Sequence, residues 1–85
     1  NEEMTKAVRS AVMRVAQTGG TFTADHVYRL LDSEGLIDNE FRVNTIGAAF
    51  NFCAKKGGIR WTGRTASSTR KGARSRLIRV WEVVR

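Results

Sequence analysis

Between Glu2 and Gln17, the apolar residues Met4, Val8, Ala11, Val12 and Val15 recur at three- and four-residue intervals. Lys6, Arg9, Ser10, Arg14 and Gln17 fill the positions between them. That period predicts an amphipathic helix. Glu2 and Glu3 favour its positive N-terminal end, and Thr18-Gly19-Gly20 stops it, because glycine accepts the left-handed backbone of a helix end. Thr21-Phe22-Thr23 follows as a short extended segment with Phe22 turned inward. Thr23 can cap a second helix that runs to about Glu34, with Asp25 in its first turn and Val27, Leu30 and Leu31 facing the core. Gly35 ends that helix. Leu36, Ile37 and Phe41 are expected to pin the next segment to the core, and Asp38 and Asn39 are candidate caps for the turn that leads onward.

The stretch Arg42–Gly57 has two contrasting sides when read at helical period. Val43, Ile46, Ala49, Phe50, Cys53 and Ala54 gather on a broad apolar arc. Asn44, Ala48, Asn51 and Lys55 form a narrow stripe opposite, short and uncharged until its last member. A merely solvated face would carry more Glu, Lys and Arg. Short amides beside an alanine suit a surface that another molecule approaches closely. Gly57-Gly58 closes this third helix.

Beyond it, Ile59-Arg60-Trp61-Thr62 and Leu77–Val84 read as strands, and the polar stretch from Gly63 to Arg76 reads as the loop of an antiparallel hairpin. In the last strand both alternating sets are apolar: Leu77, Trp81 and Val83 on one face, Ile78, Val80 and Val84 on the other. Alternation therefore leaves the register open. Ile59 and Trp61 are expected to face the helices.

Charge changes the picture more than composition does. A chain of 85 residues that is 41% hydrophobic suits one domain, 1–85, with one core. Its net charge of +7 is unevenly placed: up to Phe41 four basic residues meet seven acidic ones, and from Arg42 onward eleven meet Glu82 alone. Such asymmetry points to a polyanion met by the second half. The acidic residues of the first half are spaced as solvated helix faces. Cys53, the one cysteine, lies on the apolar arc as a small hydrophobe. A chain without disulfides fits a reducing cytoplasm. His26 has no second histidine or nearby cysteine to share a metal with, so a surface or satisfied role is expected. No phosphate loop, metal set or catalytic triad can be assembled, so neither catalysis nor a cofactor is expected. No apolar run approaches the ~20 residues of a membrane span.

The order helix, short strand, helix, helix, strand, basic loop, strand resembles the winged helix-turn-helix family over essentially the whole chain. V-N-T-I-G-A-A-F, A-K-K-G-G-I, the Ser/Arg-rich loop and R-L-I-R-V-W also look like small winged-helix proteins of actinobacterial phages. The resemblance implies an α+β fold of three helices, a small antiparallel sheet and a basic wing at about 63–76. It further implies that a recognition helix at about 42–57 enters the major groove of double-stranded DNA. Carried onto this chain, it puts Asn44, Ala48, Asn51 and Lys55 against base edges. Asn can bond adenine bidentately and Ala can meet a thymine methyl, which agrees with that placement. Arg42, Thr45, Lys56, Arg64, Arg70, Lys71, Arg74 and Arg76 would meet backbone or minor groove. The expected role is a transcriptional regulator or a phage accessory DNA-binding protein. It would act at the nucleoid, in the host cytoplasm if phage-encoded, as a monomer or an appended domain. The alternative is a winged-helix module that binds a host or replication protein, marked by an uncovered apolar patch around Phe52 and Met13.

Overall fold

The computed structural model describes residues 2–38, 41–70 and 76–84. It is an α+β arrangement of three helices and a three-stranded antiparallel sheet. Helix α1 is Glu2–Gln17, β1 is Thr21–Phe22, α2 is Ala24–Ser33, α3 is Asn44–Lys55, β2 is Ile59–Ser67 and β3 is Leu77–Val83. The strand order is β1-β3-β2, so the last strand lies in the middle. Among the described residues no helix is long and apolar enough to cross a membrane.

Periodicity places the helix faces as expected. Val8, Ala11, Val12 and Ala16 of α1, Val27 and Leu31 of α2, and Ile46, Ala49, Phe50 and Cys53 of α3 are buried in one cluster. Phe22 and Trp81 join them from the sheet, paired with each other across β1 and β3. The Phe50 ring stacks on both, 5.9 Å from Phe22 and 5.1 Å from Trp81 between centroids, the latter nearly parallel. Such offset pairs add ~0.5–1.5 kcal/mol each beyond the area they bury. Leu36, Ile37 and Phe41 pack against the cluster, as expected.

Thr23 caps α2. Its Oγ1 accepts the Asp25 N–H at 3.2 Å, and the His26 Nδ1 accepts the Thr23 N–H at 3.0 Å, so the exposed histidine closes a reciprocal capping box. Helix α3 has no such side-chain cap. Its N-cap is Val43, in helical conformation, and ahead of it the Phe41 N–H donates to the Asp38 carbonyl. Asn39, the other candidate cap, lies outside the described residues.

Three expectations are corrected. Val43 is 41% exposed and not on the buried arc, because the helix begins one residue after it. Strand β2 does not stop at Thr62. It runs to Ser67, since Thr65, Ala66 and Ser67 pair with Arg79, Ile78 and Leu77. Between Trp61 and Thr65 the register shifts, and Gly63 takes φ +88° there, so the glycine absorbs a bulge instead of ending the strand. Trp61 is 44% exposed, whereas Ile59 is buried as expected. The place against Phe50 belongs to Trp81, the cross-strand partner of Trp61. The Trp61 indole N–H is satisfied within the hairpin, donating to the Arg64 carbonyl at 2.8 Å, and its ring is covered by the Arg79 guanidinium at 4.5 Å.

Candidate nucleic-acid interface

Asn44, Ala48, Asn51 and Lys55 are all exposed on α3, because Ile46, Ala49, Phe50 and Cys53 claim the opposite side for the core. Beside this stripe runs an open cleft of about 610 Å³. One wall is α3, with Asn44, Gly47, Ala48 and Asn51. The other is the hairpin, with Arg70, Arg76, Leu77 and Arg79. Lys55 stands past the end of this cleft. Gly47 and Ala48 keep the helix wall low, so the two amides are approachable; a Cβ built on Gly47 meets nothing within 4 Å.

The hairpin is fastened to α2 by a carboxylate. Asp25 is buried, accepting from Ser68 Oγ at 2.7 Å, from the Thr69 N–H at 2.6 Å and from Thr69 Oγ1 at 3.2 Å. The Thr69 hydroxyl also accepts from Arg29 at 2.7 Å. The backbone N–H of the same Ser68 donates to the Arg76 carbonyl at 2.7 Å and closes the base of the loop. Arg70 then lies over the Tyr28 ring at 5.1 Å, on the cleft side. Asp25 thus departs from the expected solvated acidic faces. It serves as a strap between elements 43 residues apart.

Burial alone would push the Asp25 carboxyl up, but the Ser68 and Thr69 hydrogen bonds, helped by Arg29, outweigh it and hold it below the ordinary carboxylate range. A carboxylate depressed on folding stabilises above its unfolded value, ~3.9, and that contribution is lost as pH falls through the folded value. The stability gap between the wild type and Asp25→Asn should therefore be widest well above the unfolded value, ~3.9, and narrow as pH falls below it. Urea midpoints on both sides of that value measure it. A gap that stays constant with pH would show that the strap does not depend on charge.

The remaining sequence-selected residues are distributed around this centre. Arg42 is exposed ahead of α3, and Thr45 is half-buried on its first turn. Arg64 stands on the β2 bulge and not in a loop, and Lys56 is exposed just past α3. Arg70 and Arg76 flank the loop base, while Lys71 and Arg74 lie outside the described residues. The cleft brings together Asn44, Ala48, Asn51, Arg70 and Arg76, whereas Arg42, Thr45, Lys55, Lys56 and Arg64 do not line it. Arg79 was not selected from sequence, although strand alternation places it on the face of Trp81, which could have flagged it. Phe52 and Met13, the candidate apolar patch, are both partly buried against the core, and Arg9 covers the Phe52 ring at 3.5 Å. The Cys53 thiol is buried, which pushes its pKa up against an opposing pull from Arg9, and suits a packing role.

No family model, curated protein or solved structure matches the chain.

Proposed function

We propose that this chain is a winged-helix domain that binds double-stranded DNA, with α3 as the recognition helix and the β2–β3 hairpin as the wing. The observation that supports this best is the cleft, in which a wall of short amides and small residues faces a wall of arginines. Asn44 and Asn51 can bond adenine N6 and N7, Ala48 leaves room for a thymine methyl, and Lys55 reaches phosphate or guanine. Arg70 and Arg76 grip the backbone or enter a narrow minor groove. The role is binding and not catalysis, as a transcriptional regulator or a phage accessory factor. Selection of bound sequences from a random DNA pool at physiological salt tests the proposal. Recovery of a consensus supports it, and a pool that stays random removes base reading from α3.

The wing supplies affinity without sequence preference. Each cation that neutralises a phosphate adds ~0.9 to the slope of log affinity against log salt. Arg70→Ala with Arg76→Ala should flatten that slope by roughly two and weaken all sequences alike. An unaltered slope in a salt titration would take the wing off the DNA.

A second reading, a protein-interaction module, is favoured by Val43 and Leu77, which are 41% and 67% exposed and both line the cleft. Strong protein binding at a salt concentration that abolishes DNA binding would put that reading first.

A further inference from the structure

We propose that Arg9, Phe52 and Lys56 form a second phosphate-binding site on the flank of α3 away from the hairpin, and that it holds the DNA strand opposite the one the wing holds. The inference rests on the reading of α3 as the helix in the major groove. It adds a contact from the first helix, in the half of the chain whose sequence is richer in acids.

The placement follows from the helix itself. At about 100° per residue, Phe52 lies about 80° around α3 from Asn44, and Gly47 lies about 60° around in the other direction. Gly47 lines the cleft toward the hairpin. Phe52 therefore marks the other border of the reading stripe, and α1 packs there. The Arg9 guanidinium carbon sits 3.5 Å from the Phe52 ring centroid, and the Lys56 ammonium 5.6 Å from the same centroid. Two cations thus share one aromatic ring. Among the described residues no ion pair joins either of them to a carboxylate. The buried Arg9 Nε has no hydrogen-bond partner among the described residues, and the guanidinium is packed on the Phe52 ring.

This is the arrangement a phosphate completes. An arginine whose planar face is packed on a ring keeps its terminal N–H groups as donors, and those match phosphate oxygens in a fork. An anion between the two cations also removes their mutual repulsion. Geometry supplies the anion. A helix is ~10–12 Å across with its side chains and the B-DNA major groove is ~12 Å wide, so a helix seated there has a phosphate strand along each flank. The hairpin serves one flank. Arg9 and Lys56 serve the other.

The test uses Arg9→Met, which keeps an apolar cover on Phe52 without charge, together with Lys56→Gln and the double variant. Salt titrations on the selected site are paired with thermal melts and with phosphate-ethylation interference. Each single variant should lower the salt slope by ~0.9 and the double by roughly twice that, with base preference unchanged. Melting should stay near that of the wild type for Lys56→Gln. Interference should vanish only at phosphates on the strand away from the wing. A wild type with a clear salt slope and variants that share it would overturn the second site and leave the DNA reading intact. A wild type without salt-dependent DNA binding would overturn both.

Discussion

Trp81→Ala should unfold or nearly unfold the chain at 37 °C, whereas Trp61→Ala should not. Trp81 is 7% exposed and stacks on Phe50, which in turn stacks on Phe22. Truncating a buried tryptophan costs ~3–5 kcal/mol, a large part of the ~5–15 kcal/mol expected for a whole domain. Trp61 is 44% exposed and meets Arg79 across its ring. Its loss removes a surface cation–π contact of ~0.5–1 kcal/mol and the indole hydrogen bond to the Arg64 carbonyl, but no side chain of the core cluster. Urea or thermal unfolding of the two variants measures the contrast. Equal melting of both would mean that the Phe22–Phe50–Trp81 stack is not what joins sheet to helices.

The second large effect is on discrimination and not on stability. Asn51→Ala should keep the fold and the salt slope yet lose preference at one or two base pairs. The side chain is exposed on the cleft wall, so the core does not miss it. A bidentate amide-to-adenine contact is worth ~1–3 kcal/mol, which is roughly 5- to 150-fold in affinity between right and wrong base. Asn44→Ala should act at a neighbouring position, or weaken a phosphate contact, since Asn44 is the first residue of α3. Affinities for the preferred site and its single-base variants, in wild type and both mutants, decide the matter. Mutants that discriminate as well as wild type would take the reading role away from α3 and move the protein-interaction reading ahead.

The helices were legible in the sequence because their period and stops are local. Val8 to Val15 spaced by threes and fours, Thr23 before Ala24, and Gly57 after Lys56 each act within a turn of the chain. The sheet was less legible. Thr65 to Ser67 look like loop until Arg79, Ile78 and Leu77 are placed beside them. Trp61 and Trp81 look alike in sequence, and only the strand partner against Phe50 is buried. The site divides in the same way. The exposed stripe of α3 follows from periodicity. The Asp25 strap does not, because its partners Ser68 and Thr69 lie more than forty residues away. Nor does the pairing of Arg9 with Phe52, which depends on how α1 crosses α3.

The irregular middle of β2 has a bearing on how copies of the chain behave beside one another. A sheet with an open edge invites a strand from another molecule, because evenly spaced backbone donors and acceptors await partners. Here β1, at one edge, is two residues long. At the other edge, β2 is interrupted by the shift between Trp61 and Thr65, and the Arg64 carbonyl already accepts from Trp61. Arg64 adds positive charge along the same strand, beside Arg60, which is paired with Glu82 at 3.6 Å. Neighbouring copies of the chain thus meet edges too short, too uneven and too cationic to zip into a shared ribbon.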